Sequence, residues 1–122
     1  MIPRSLIIND RNSLEAVAAL LHDSRFTADS ILFDADKQAF SLKCWIQLSF
    51  RGAYKAYILS FANITRCNVL QAEDVRFYEI ATLRINGGGR RLEIATHYAI
   101  DISLDFDSLD GMLNETDETR TW

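Results

Sequence analysis

The chain has 122 residues, 48% hydrophobic and 25% charged, with a formal net charge of −4. That is ordinary globular composition for one domain, with enough apolar surface for a core that needs no metal or disulfide staple. The acidic balance argues against nucleic acid as a partner, because phosphate neutralisation calls for a basic excess. The longest uncharged run, residues 56–65, is far short of the roughly 20 apolar residues of a spanning helix, so no membrane role is expected.

Residues 2–8 are apolar and β-branched and predict a short strand. Asn12-Ser13-Leu14-Glu15 predicts a helix start, with Asn12 as cap and Glu15 reaching back to it. Leu14, Val17, Ala18 and Leu21 then form one apolar stripe, and the helix should stop near His22-Asp23-Ser24, where aspartate opposes the dipole.

From Ile31 the hydrophobic period changes to two. Ile31 and Phe33 lead into the polar turn Asp34-Ala35-Asp36-Lys37. Phe40, Leu42, Cys44, Ile46, Leu48 and Phe50 then alternate with Ser41, Lys43, Trp45, Gln47 and Ser49, which only a strand separates onto two faces. A turn centred between Asp36 and Lys37 sets Phe33 opposite Phe40 and Ile31 opposite Leu42.

Arg51-Gly52 should break the run. Residues 54–64 predict a third strand, with Tyr57, Leu59 and Phe61 on one side, and residues 65–74 an irregular polar connection. Residues 75–85 predict a fourth, with Val75, Phe77, Ala81, Leu83 and Ile85 sharing a face. Asn86-Gly87-Gly88-Gly89 is a strong turn signal that would pair Leu83 with Leu92 and Ala81 with Ile94.

Beyond Arg90, the apolar residues from Leu92 to Phe106 fall on even positions. One long strand fits, and so does a hairpin turning at His97. Residues 95–99 lack the Gly, Asn or Asp of a tight turn, which favours the long strand. Asp107 to Leu113 would add a helical turn, and residues 114–122 a polar, flexible tail. The expectation is an α+β fold over residues 1–113, with one N-terminal helix packed on a curled, mostly antiparallel sheet of five to six strands. A helix of about ten residues is roughly 15 Å long and cannot shield a sheet roughly 20–25 Å across. Either the sheet curls round the helix or a second copy covers the remainder, and a homodimer follows from the second option.

Candidate chemistry is sparse. No leader-like segment precedes Cys44 and Cys67, so a cytoplasmic location with reduced thiols is expected. His22-Asp23 suggests a base and its orienter, but adjacent residues rarely point at each other and a helix-end role is the favoured account. Cys67, His97 and Asp101 offer triad residue types without triad geometry. Asn86-Gly87-Gly88-Gly89-Arg90-Arg91 lacks the lysine, the serine or threonine and the helix start that come after the glycines of a phosphate loop. The run from Asp105 to Gly111 fails the calcium-loop pattern at Leu109 and Thr116. Two histidines and two cysteines give no zinc spacing. No catalytic residue, cofactor or metal is therefore assigned.

The polar sheet face is the better candidate. Trp45 stands between Lys43 and Gln47 on the side expected to meet water, and Tyr78 would lie opposite His97. Aromatic residues on a wet face are typical interface anchors, although the tail or the 65–74 connection could cover them. Asp101, Ser103, Asp105 and Asp107 add an acidic row, a solvated edge or a dock for a basic partner. Lys43, Trp45, Tyr78, His97 and Asp101 are thus the candidate interaction face.

Leu21-His22-Asp23-Ser24, then Ile31-Leu32-Phe33-Asp34 and the alternating strand to Phe50, resemble small uncharacterised bacterial domains in which a Leu-His-Asp start precedes a β-meander. Some of these look like immunity proteins that neutralise toxins. The resemblance covers residues 21–50 and implies no catalytic residues. The expected function is a non-enzymatic protein-interaction module, an immunity-like inhibitor being its most specific form. The alternative is a small-ligand-binding domain or small enzyme with a pocket inside the curled sheet, lined by Phe40, Trp45, Tyr57 and Phe77.

Overall fold

A computed structural model describes residues 4–48, 52–86 and 88–122. In chain order the elements are β1 (Ser5–Ile8), α1 (Arg11–Leu21), β2 (Arg25–Phe26), β3 (Ile31–Asp34), β4 (Ala39–Gln47), β5 (Ala53–Gln71), β6 (Tyr78–Asn86), β7 (Arg91–Thr96) and β8 (Ile100–Thr121). A 3-10 turn, Ala28–Ser30, joins β2 to β3. Among the described residues, eight antiparallel strands and one α-helix make a sheet-dominated fold, which replaces the expected α+β arrangement of five to six strands.

The helix is where the apolar stripe puts it, with Leu14, Val17 and Leu21 buried. Its cap lies two residues earlier than predicted. The Asp10 side chain accepts from the Ser13 N–H at 2.7 Å, and the Ser13 hydroxyl accepts from the Asp10 N–H at 3.1 Å. Ser13 thus fills the reciprocal role assigned to Glu15. That contact also holds the Asp10 carboxyl below its ordinary pKa.

The β3–β4 hairpin has the predicted register, Ile31 opposite Leu42 and Phe33 opposite Phe40. The predicted strand end at Phe50 and the Arg51 half of the break lie outside the described residues, as do Gly87 and the first residues of the N-terminal strand. β5 runs on through residues 65–71, the expected connection. A left-handed Asn63 (φ 59°) and two register shifts near Ile64 keep Ile64 buried, while Val69 and Leu70 farther along are exposed.

On β6 a register shift between Ile80 and Thr82 changes the face, so Tyr78, Ile80 and Leu83 point inward instead of Phe77 and Ala81. The β6–β7 loop begins one residue later than expected, which pairs Leu83 with Ile94 and Ile85 with Leu92. Parity survives, so apolar still meets apolar. Residues 91–121 are two strands with a turn at residues 97–99, not one long strand. Ala99 supplies the positive φ (80°) that a glycine would normally provide.

β8 replaces both the helical turn after Asp107 and the polar tail. Its polar residues have cross-strand partners: Thr116 Oγ1 donates to the Ala56 carbonyl at 2.7 Å, Lys55 pairs with Glu115, and Lys43 Nζ lies 2.6 Å from Glu118. β8 pairs with β5 along most of its length. It also pairs with β7 through its first half and β1 through its second.

The pairings β8–β5–β4–β2–β6–β7–β8 close a ring. The apolar face is therefore turned against itself, and α1 packs on the side of β1, β4 and β6. One cluster fills the interior, including Leu42, Leu59, Leu92, Ile94 and Leu104, each with no exposure. Closure removes the uncovered sheet face from which a second copy was expected. Among the described residues, no helix is long and apolar enough to cross a membrane.

Candidate functional site

The five residues of the predicted interaction face fall in three places. Lys43 and Trp45 share the outer side of β4, but that side is covered. Trp122 meets Trp45 edge to face at 5.7 Å, Tyr54 at 5.8 Å and Phe77 at 5.6 Å. The Arg120 guanidinium sits 3.9 Å from the Trp122 ring centroid, and that of Arg25 sits 4.2 Å from that of Phe77. Trp45 is left 9% exposed, a packed residue with the Trp122 ring of the same chain as its cover.

Tyr78 is 1% exposed and stacks on Phe26. Its hydroxyl donates to the Glu73 carbonyl at 3.0 Å and accepts from Gln71 Nε2 at 2.7 Å. The bulge in β6 puts it on the inner face, so it is not an interface anchor.

His97 and Asp101 lie together at the β7–β8 turn. Asp101 pairs with Leu70, and the Ala72 N–H donates to the Ala99 carbonyl at 2.7 Å, which brings the ends of β5 and β8 side by side. An open groove of about 480 Å³ runs over this end of the barrel. Leu70 and Tyr98 are each 63% exposed there. The Tyr98 hydroxyl is bound to the Glu73 carboxylate, which pushes the phenol above its ordinary pKa. Asp101 also lines the groove, and no lysine or arginine does so among the described residues. By sequence parity Tyr98 belongs with the inward-pointing even positions. Only the hidden turn brings it outward.

Beside this groove the structure assembles a group that sequence reading keeps apart. His97 Nε2 lies 2.7 Å from Asp23 Oδ1, and His22 Nε2 lies 3.7 Å from the same oxygen. The two imidazoles meet edge to face at 5.7 Å. Adjacent residues seldom face one another, but Asp23 is left-handed (φ 66°) and this folds its carboxylate back toward His22. Three successive carbonyls of β6 hold the group: Glu79 O accepts from the His97 N–H at 3.0 Å, Ile80 O from the Asp23 N–H at 2.8 Å, and Ala81 O lies 3.0 Å from His22 Nδ1. In the sequence the His22-Asp23 pair is visible, and the addition of His97 is not.

The remaining sequence candidates separate. Cys67 packs against the core three residues along β5 from Leu70, burial pushes its thiol pKa up, and His97 turns to Asp23 instead. Asp105 is a strand residue, bound to Arg91 Nε at 2.8 Å. Gly88 and Gly89 belong to the β6–β7 turn, with φ values of 75° and 88°. Phe40 and Tyr57 are packed in the filled interior, whereas Trp45 and Phe77 contact the outer aromatic group, so these four line no common pocket.

Comparison with known protein families, curated proteins and solved structures finds no match to this chain.

Proposed function

We propose that the chain is a non-enzymatic protein-interaction module that takes a basic partner in the groove at the β7–β8 turn. The observation that carries this reading is the pairing of two outward apolar side chains, Leu70 and Tyr98, with the carboxylates of Glu73 and Asp101. An apolar anchor ringed by one sign of charge suits a surface of opposite sign. The packing of Phe40 and Tyr57 in the buried cluster supports this reading over a ligand pocket inside the curled sheet. An immunity-like inhibitor of a basic toxin is its most specific form, and that form leans on the resemblance of residues 21–50.

The test is affinity capture from an extract of the source cells, with the wild-type protein and a Leu70→Ser/Tyr98→Ser variant of matched melting temperature. The expected result is a basic protein held by the wild type, released by added salt, and bound at least about tenfold more weakly by the variant. Equal retention by both proteins, or nothing retained above bare resin, overturns the proposal.

A further inference from the structure

We infer that His22, Asp23 and His97 form a binding site for a divalent transition-metal ion of the zinc, nickel or copper type. The site is independent of the partner reading above. Its donors are two imidazole nitrogens and one carboxylate oxygen, and all three lie within 4.8 Å of one another. Zinc bonds to such donors at about 2.0–2.2 Å, which at tetrahedral angles sets neighbouring donors about 3.3–3.5 Å apart. The two nitrogen–carboxylate separations, 2.7 Å and 3.7 Å, straddle that spacing, and the two nitrogens lie within 4.8 Å of each other. Small χ rotations of exposed side chains close the difference.

The hydrogen bonds around the group favour ligation over a plain ion pair. His22 Nδ1 lies against the Ala81 carbonyl, which can only accept, so Nδ1 is the donor there and Nε2 is the nitrogen turned to the cluster. A backbone carbonyl behind the ligating ring is the usual way a metal-bound histidine is oriented. On metal binding His97 gives up the Nε2 proton it shares with Asp23, to its own Nδ1 or to solvent, and Nε2 becomes the second nitrogen donor. The three residues are anchored to consecutive carbonyls of one strand, which keeps the ligand set together before any ion binds. Two imidazoles discriminate against magnesium and calcium, which take oxygen donors. Three protein ligands leave further positions for water or an incoming group.

The experiment is calorimetric titration of chelator-treated, full-length protein with zinc chloride, alongside His22→Gln, Asp23→Asn and His97→Gln. Asparagine tolerates the left-handed backbone at position 23, so that variant removes the charge and keeps the turn. One zinc per chain is expected, with at least about tenfold weaker binding for each histidine variant and no heat with magnesium. Copper(II) bound to the wild type should show two-nitrogen hyperfine coupling in its paramagnetic resonance spectrum. Unchanged zinc affinity in either histidine variant, or no binding at tens of micromolar zinc, overturns the site. Should a variant fail to fold, nitrogen-15 spectra of the wild type decide: zinc must shift the Nε2 resonances of both histidines, and a spectrum in which either stays put rejects the proposal.

Discussion

The indole of Trp122 stands edge to face over that of Trp45, with ring centroids 5.7 Å apart. The Trp122 backbone N–H donates to the Gly52 carbonyl at 3.2 Å, so the residue is held by the main chain and its ring by packing. This contact makes the outer side of β4 a second small core, with Tyr54 and Ala56 beneath the same cover.

Trp45→Ala should cost about 3 kcal/mol of stability, in the range of large-to-small changes at packed aromatics. Trp122→Ala should cost less on a Trp45→Ala background than on the wild type, because the two residues share one contact. Urea denaturation of the four proteins of the cycle measures both. A Trp45→Ala protein as stable as the wild type would return Trp45 to the solvent.

Gly111 lies opposite Phe61 on β5 and Ile8 on β1. A Cβ at this position would run into the Phe61 ring and come 3.0 Å from the Ser60 carbonyl oxygen. Phe61 is buried and cannot swing away. Gly111→Ala should therefore destabilise by about 2–3 kcal/mol. Phe61→Leu, introduced with it, should relieve part of the clash. A neutral Gly111→Ala would show that the strands can part at no cost.

Lys55 and Glu115 are bonded across β5 and β8. The bond holds the Glu115 carboxyl below its ordinary pKa and the Lys55 ammonium above its own. A carboxylate whose pKa falls on folding stabilises above its unfolded value and stops doing so as pH drops through the folded one. The lysine contribution is present below its unfolded value and is lost as pH rises through the folded one. Wild type should thus melt above Glu115→Gln at neutral pH, with the gap closing below about pH 4. A gap that stays constant down to pH 2 would contradict the assignment.

Cys44 has no exposure, and burial pushes its thiol far above the ordinary range. Cys67 is partly buried and shifted the same way. In native protein at neutral pH, Cys44 should resist an aromatic disulfide reagent until denaturant is added, and Cys67 should react more slowly than free cysteine. Rapid labelling of Cys44 would mean that the barrel opens.

Much of the strand content was legible because period-two alternation is hard to mistake. Phe33 and Phe40 could be paired from the Asp-Ala-Asp-Lys turn alone. What could not be read were the departures from regularity. The helix cap shifted because Asp10 and Ser13 form the same reciprocal pair two residues earlier than Asn12 and Glu15 would, and only the backbone direction chooses between them. The shift in β6 reversed the face of Tyr78, and Ala99 turned the chain without any turn-forming residue type. Ring closure hangs on β2, whose two residues are too few to show a pattern. The His22-Asp23 pair was legible, but its meeting with His97 was not, because Asp23 and His97 are 74 positions apart and are brought together by β6.

β8 spans both halves of the ring, and its partner β1 hydrogen-bonds to it across 109 residues, from Ser5 to Asn114. The local hairpins β3–β4, β6–β7 and β7–β8 can form early, yet each exposes its oily side until the long strand zips along β5. The entropy of closing such large loops comes before most of the reward, which is the signature of slow folders, on the order of milliseconds to seconds. Refolding from denaturant should accordingly be a single late step in which both tryptophan signals appear together.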